Sequence, residues 1–173
     1  DNVRLSEFIY RHLGEITRIT ATMDTHLTMQ VFHAIFFVDK DGNHPAPYTD
    51  IHVSELIEGR WTFNPVLASQ FDIAPEYGQQ MMIHYAQALA KTGKYALTIW
   101  PYHAMLGGIG HALVSSVAEA LFFHSVARLA QTDIVTKGES AFTENYSVIG
   151  PEVLKGPMDE PLGMHDQRFI QQL

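Results

Sequence analysis

Residues 112–138, ALVSSVAEALFFHSVARLAQTDIVTKG, contain the strongest helix signal of the chain, followed by a short β-branched run. Apolar residues recur at helical spacing over 112–131. The face that we expect to be buried consists of Leu113, Val117, Leu121 and Phe122. TDIVTKG (132–138) then has the composition of a strand. A helix that leads into a strand is the repeating unit of an α/β fold.

The rest of the chain repeats this alternation. Further helices are predicted over 1–13 with Gly14 as C-cap, over 75–92 with Gly93 as the stop, and over 168–173. Further strands are predicted over 16–23, 31–39 and 95–101. The alternation predicts an α/β fold with right-handed crossovers and a mainly parallel sheet. So small a sheet would have open edges, so we expect residues 1–173 to form a single, partial domain of a larger fold.

Residues 40–65 are predicted to form a long insertion loop. The segment contains Pro45, Pro47, Gly59 and Pro65, which interrupt regular structure, and a short helix is predicted at SELIEG (54–59). Long loops are often functional, so Trp61 and Phe63 are candidates for covering a site. A surface loop with partly buried aromatic rings is the alternative, and we favour it.

Composition excludes several function classes. Eleven Lys plus Arg against nineteen Asp plus Glu give a net charge of −8, which repels nucleic acid. No apolar run approaches the roughly 18 residues of a membrane span, so we expect a soluble, cytoplasmic protein. The absence of cysteine excludes disulfides, thiolate zinc sites and a cysteine nucleophile within these 173 residues. Dinucleotide, Walker, serine-hydrolase elbow and zinc-protease motifs are also missing from the sequence.

A set of histidines with one carboxylate is the most informative feature. Asp24 and His26 lie two residues apart at the end of a predicted strand, so both can project to the same side. His103 follows a second predicted strand, and His33 lies between the two. Ligands of parallel sheets bind beyond the carboxyl ends of the strands. Asp24, His26, His33 and His103 therefore form a candidate divalent metal site for zinc, with iron or manganese as alternatives. Hydrogen-bonded or solvated histidines are the default alternative, because the chain has ten.

Lys137 ends the predicted strand 132–138. A lysine desolvated in this position can assist proton transfer or hold a neighbouring carboxylate, although structural lysines at strand ends are commoner. The seven other histidines receive the default interpretation, and His124 is predicted to be a core or edge histidine of its helix. Met81, Met82, Phe122 and Phe123 are predicted to be core residues.

Several motifs in order resemble the isochorismatase-like cysteine hydrolases, the family of the nicotinamidases. They are TMDTH (22–26), the later His33, TIWPYHAMLGGIGHAL (98–113) and IVTKGESAFTENYSV (134–148), and the resemblance covers about residues 1–155. It implies a three-layer α/β/α fold and a metal held by Asp24, His26, His33 and His103. It also implies that Lys137, in its Lys-Gly element, is the catalytic lysine.

Two departures from the family pattern matter for function. The family's catalytic aspartate lies on a strand before the first helix, and its nucleophilic cysteine lies on a later segment. No residue of this chain matches either, so we expect the chain to be one piece of the domain. The resemblance implies hydrolysis of a small-molecule amide or related C–N bond through a thiolate, with Lys137 stabilising the charges that develop in the reaction.

Two other functions stay open at this point. A metal-dependent hydrolase that uses metal-bound water needs no cysteine. A non-catalytic binding domain would keep the fold without turnover. The cysteine hydrolase and both of these alternatives take a small molecule as partner. Open sheet edges favour a homo-oligomer or association with the missing part of the domain. Nucleic acid and membrane are not expected as partners.

Overall fold

The protein is represented by a computed structural model, which describes residues 1–172. The helices are α1 (Asn2–Arg11), α2 (Val53–Ile57), α3 (Pro65–Ala68), α4 (Pro75–Thr92), α5 (Ser115–Arg128) and α6 (Gln167–Gln172). The strands are β1 (Thr20–Asp24), β2 (Phe37–Val38), β3 (Asp50–Ile51), β4 (Thr62–Phe63), β5 (Leu97–Thr98) and β6 (Asp133–Lys137). Of the helices described, none is long and apolar enough to cross a membrane. Residue 173, at the end of the last predicted helix, lies outside the described residues.

Strands β1 and β6 pair in parallel, from Thr20 opposite Asp133 to Asp24 opposite Lys137. Helices α1 and α5 pack against each other beside this pair, and their contact buries Ile9 against Ala120 and Leu121. Strand β1 begins later than predicted, while β6 lies within its predicted range of 132–138. The mixed α/β composition is therefore confirmed, and it includes a small parallel sheet.

The ends of α1 and α5 differ from the predicted ends. Helix α1 is capped at His12 and not at Gly14, and α5 runs from Ser115 to Arg128 and not over 112–131. Leu129 ends α5 in the left-handed conformation, with φ of 51°. The prediction that Phe122 and Phe123 are core residues is wrong, since they are 62% and 45% exposed. Only one face of α5 is covered by α1 and β1, which leaves the neighbouring positions in solvent.

Helix α4 is confirmed over its predicted range. Pro75 stands at its first position, and Gly93 ends it with a φ of +64°, which glycine adopts without strain. Its buried face includes Met81, Met82 and Tyr85, the first two as predicted. This face forms the main core together with the segment around Phe32 and Phe36.

The predicted strand 31–39 is wrong over most of its length. Residues Ala34–Phe36 form a 3-10 turn, and only Phe37–Val38 pair, antiparallel, with β4. Val31, Phe32 and His33 are fully buried without belonging to a regular strand. A continuous apolar run is equally compatible with any fully buried backbone, so periodicity did not distinguish these cases.

The predicted strand 95–101 is reduced to Leu97–Thr98, which pair antiparallel with β3. The insertion at 40–65 therefore is not a plain loop, since it supplies β3, α2 and β4. Its aromatic residues Trp61 and Phe63 are buried in the main core. A Cβ atom at Gly78 of α4 would overlap the Phe63 ring, so glycine permits this close approach. The three strand pairs remain separate two-stranded units among the described residues.

Candidate functional site

A cavity of about 220 Å³ lies beyond the carboxyl ends of β1 and β6. Four of the five predicted site residues line it: Asp24, His26, His103 and Lys137. Its remaining wall is formed by Trp100, Glu144, Asn145 and Tyr146. A wider groove of about 660 Å³ lies along α5, but the residues that line it are largely apolar and carry no titratable group.

Asp24 and Lys137 form the polar floor of this cavity. They stand opposite each other in the parallel register, and the Lys137 ammonium is ion-paired with the Asp24 carboxylate. Nζ of Lys137 also donates a hydrogen bond of 2.9 Å to the carbonyl oxygen of Asn145. The lysine side chain is 16% exposed and the aspartate side chain 47%, so the pair faces the cavity from a half-buried position.

Gly138 turns the chain away from the cavity directly after Lys137. It has a φ of +92°, and a Cβ atom there would lie 3.1 Å from Cε1 and 3.2 Å from Nδ1 of His26. Both the left-handed conformation and the lack of a side chain are therefore required at this position. The backbone before Gly138 is fixed, since the Thr25 N–H donates to the Lys137 carbonyl over 2.8 Å.

His26 is buried and held by its backbone to the segment that follows His103. Its N–H donates to the Ala104 carbonyl over 3.0 Å, and its carbonyl accepts from the Leu106 N–H over 2.9 Å. The ring centres of His26 and His103 are 4.8 Å apart. Burial, and then the nearby His103, lower the pKa of His26, so its imidazole is held in the neutral form.

His33 lies behind the cavity and is fully buried. Its ring centre is 6.4 Å from that of His26. Nδ1 of His33 lies 3.1 Å from the Thr28 carbonyl, and burial lowers the pKa of this imidazole to about 4. A carbonyl can only accept, so Nδ1 carries the hydrogen and Nε2 keeps a free lone pair. Nε2 is buried without a hydrogen-bond partner.

The donor chemistry of the three histidines suits a divalent metal. His103 repeats the arrangement of His33, with Nδ1 2.8 Å from the Pro101 carbonyl and Nε2 left for another partner. Backbone carbonyls on Nδ1 orient metal-binding histidines in this way. With ligand bonds of about 2.1 Å, two imidazoles on one zinc ion have ring centres roughly 5 Å apart, which fits His26 and His103.

The predicted metal ligands do not form a complete site in this structure. Within the described residues, no group of three or more His, Asp or Glu is arranged to hold a metal ion. The ring centres of His33 and His26 are 6.4 Å apart, so His33 would have to move closer to share an ion with His26, and the Asp24 carboxylate is paired with Lys137. A carboxylate accepts bonds at both oxygens, so this ion pair leaves Asp24 with further capacity as a ligand. The residues thus fit the metal by chemistry, and His26 and His103 fit it by spacing.

Glu144 is a site residue that the sequence analysis missed. It lies in the cavity wall, and only 8% of the residue is exposed. Burial raises its pKa to about 7, against the lowering effects of the Tyr146 hydroxyl and of Lys137. The sequence placed Glu144 in the quoted segment 134–148, but a carboxyl seven residues after Lys137 gives no sign of being buried.

The histidines outside this set have ordinary structural roles where the structure gives them a contact. His124 is fully buried on α5, as predicted, with Nε2 2.9 Å from the Ile16 carbonyl. His111 contacts the Thr25 hydroxyl with Nε2 over 2.8 Å, which fixes the residue between Asp24 and His26.

Comparison with known proteins gives no assignment. A scan against protein-family models finds no match, and searches of curated proteins and of solved structures find none either.

Proposed function

We propose that this chain carries part of the active site of a hydrolase that cleaves an amide or related C–N bond of a small molecule. The reaction class follows from the resemblance to the isochorismatase-like cysteine hydrolases. The observation that supports it is the register of β1 and β6, which brings the Lys137 ammonium and the Asp24 carboxylate together at a cavity that the imidazoles of His26 and His103 also line. A three-layer α/β/α arrangement and a cytoplasmic location belong to the same proposal.

The chain's own residues have separate roles in this proposal. Lys137 stabilises the negative charge that develops on the carbonyl oxygen of the substrate, since its ammonium reaches the cavity from a fixed position. Asp24 fixes the position of the lysine ammonium by pairing with it. Trp100 and Tyr146 supply flat apolar walls for the substrate.

The three histidines and Asp24 would hold a divalent metal, with zinc as the first choice. Such an ion polarises a bound carbonyl or lowers the pKa of a bound water. His33 and His103 are oriented for this by the backbone carbonyls of Thr28 and Pro101. Neutral imidazole is the form that binds metals, and burial favours that form at His26 and His33.

The thiolate route needs a cysteine, and the 173 residues contain none. The second candidate function is therefore a metal-dependent hydrolase with no protein nucleophile. The absence of cysteine from these residues favours this candidate, and the buried Nε2 of His33, which has no hydrogen-bond partner, offers a free lone pair for the metal. A non-catalytic binding domain is the third, and it predicts no turnover.

The expected self-association also remains a proposal. Large apolar side chains are exposed along α5 and β6, among them Phe122, Val126, Leu129 and Ile134. They line the groove of about 660 Å³, and such a patch is typical of a surface that is covered by another polypeptide.

The test measures ammonia or amine release from a panel of small amides and carbamoyl compounds. It uses the complete product of the gene that encodes these residues, with and without a chelator and a thiol-blocking reagent. Loss of turnover with the thiol reagent supports the cysteine route, and loss with the chelator alone supports the metal route. Absence of turnover on every substrate, with a ligand-dependent rise in melting temperature, would support the third candidate, a non-catalytic binding domain.

A further inference from the structure

Glu144 has no cationic partner of its own, although it is buried. Only 8% of the residue is exposed, and no Lys, Arg or His of the described residues pairs with it within 4.0 Å. The nearby Lys137 is committed to Asp24 and to the Asn145 carbonyl. Burying an uncompensated carboxylate is unfavourable, and this cost raises the pKa of Glu144. A group of this kind in a cavity wall is a candidate for recognising a ligand.

The backbone of Glu144 is fixed by two hydrogen bonds. Its N–H donates to the Tyr85 hydroxyl over 3.3 Å, and its carbonyl accepts from the Glu152 N–H over 2.9 Å. Tyr146, which lines the same cavity, stacks on Tyr95 with ring centres 4.0 Å apart. The main chain that carries the carboxyl is therefore ordered before a ligand arrives.

The charges and rings of the cavity wall select the kind of ligand. Without a bound metal, Asp24 and Lys137 neutralise each other, so an ionised Glu144 leaves the cavity with a net negative charge. The aromatic rings of Trp100 and Tyr146 line the same cavity, and aromatic faces attract cations. The volume of about 220 Å³ has room for roughly seven waters at about 30 Å³ each, which limits the ligand to a small molecule.

We infer that Glu144 recognises the nitrogen side of a small ligand through N–H donors, and that amidinium or ammonium groups bind better than carboxylates of the same shape. This inference rests on the proposed function, because a C–N bond substrate presents such a nitrogen. Glu144 acts as a specificity-determining residue, and its carboxylate accepts the N–H hydrogen bonds. Lys137 then faces the carbonyl side of the same ligand.

Three probes of one shape test the inference: benzamidine, which is cationic, benzamide, which is neutral, and benzoate, which is anionic. Their dissociation constants are measured at neutral pH by calorimetry on the 173-residue chain after treatment with a chelator, so that no divalent metal contributes charge to the cavity. We expect benzamidine to bind about tenfold or more tightly than benzoate, with benzamide between them. In Glu144→Gln, which keeps the shape but removes the charge, this ratio falls to near one.

Glu152→Gln is the matched control, because Glu152 contributes charge near Glu144 but does not line the cavity. It should keep the preference for benzamidine, and thermal unfolding of each variant verifies folding. Benzoate binding as tightly as benzamidine, no saturable binding of benzamidine, or an unchanged ratio in Glu144→Gln would each overturn the inference. None of these results depends on turnover. If the complete gene product hydrolyses amides but the three probes bind with equal dissociation constants, the role of Glu144 is refuted and the proposed function is not.

Discussion

Asp24 is directly opposite Lys137 in the parallel register of β1 and β6, and the two side chains form an ion pair. They are the last residues of their strands, so the pair lies where the sheet ends and the cavity begins. The pair also links the main chain of β6 to the Asn145 segment through Nζ of Lys137.

Replacement of Lys137 by methionine should separate activity from stability. Asp24 is half exposed and water can solvate it, so we expect a loss of only about 1 kcal/mol in unfolding free energy. Turnover by the complete gene product should fall about a hundredfold or more, because the charge at the reacting carbonyl is lost. Lys155→Met removes a surface Lys–Asp pair outside the cavity and serves as the control. Equal turnover in the two variants would refute the role of Lys137.

The buried carboxyl of Glu144 should make folding stability depend on pH. Its pKa is raised from 4.5 in the unfolded chain to about 7 in the fold. The folded state therefore holds this proton more tightly, and the resulting stabilisation is complete below pH 4.5 and is lost as pH rises through 7. Relative to Glu144→Gln, the wild type should lose about 3 kcal/mol over this range.

Urea unfolding at several pH values measures that difference between wild type and Glu144→Gln. The subtraction removes the contribution of His33, which has the opposite sign because its pKa is lowered to about 4. Glu119→Gln, an exposed carboxylate on α5, gives the effect of losing one surface charge. A difference that stays constant with pH would show that Glu144 ionises without hindrance.

Gly138 should be more sensitive to substitution than another glycine of similar conformation. Gly42 also has a positive φ, +82°, but a Cβ atom there would meet nothing within 4 Å. Both alanine variants strain the backbone by about 1 kcal/mol. Gly138→Ala additionally crowds the His26 ring, so we expect it to be less stable than Gly42→Ala by about 1 kcal/mol or more. Equal melting temperatures for the two variants would contradict the observed packing of His26.

Zinc should stabilise the chain if the imidazoles bind it. At a hundredfold excess over the dissociation constant, the melting temperature should rise by roughly 5–10 °C. His26→Gln and His103→Gln should abolish most of this rise, since these two rings have the spacing of shared ligands. His84→Gln, whose ring instead contacts the Lys155 carbonyl, is the control. A shift that is the same in all four proteins would exclude these residues as ligands.

The exposed face of α5 should govern self-association. Replacing both Phe122 and Val126 by serine removes two apolar side chains that are 62% and 56% exposed in the described structure. We expect the molar mass from light scattering to fall relative to wild type at equal concentration. Ile57→Ser removes an equally exposed side chain outside the groove and should leave the mass unchanged. A wild type that is monomeric at all concentrations would refute the proposed association.

Local signals in the sequence predicted the helices better than the strands. Pro75 and Gly93 limit α4 because each acts on its own backbone, through a fixed φ and a left-handed end. A strand needs a partner, and neither the 3-10 turn at Ala34–Phe36 nor the antiparallel partner of Leu97–Thr98 leaves a trace in local composition. Strand pairing therefore had to come from the structure.

The residues of the candidate site were also only partly predictable from the sequence. Asp24, His26 and His103 were proposed because strand ends and motifs bring such residues to one edge, and the structure places these three around one cavity. Glu144 was not proposed, since its significance depends on burial and on the lack of a cation nearby. Phe122 was assigned to the core from helical spacing alone, although its exposure depends on how little of α5 other elements cover.

The pairing of β1 with β6 joins the beginning of the chain to a strand that is made more than a hundred residues later. Closing so long a loop requires a large loss of chain entropy before any contact compensates for it, which slows folding. The cavity therefore requires β6, and a fragment that ends before Asp133 would lack both the ion pair and the part of the main core that Phe142 and Val153 supply. During synthesis, ligand binding should appear only after the residues up to Tyr146 have been made.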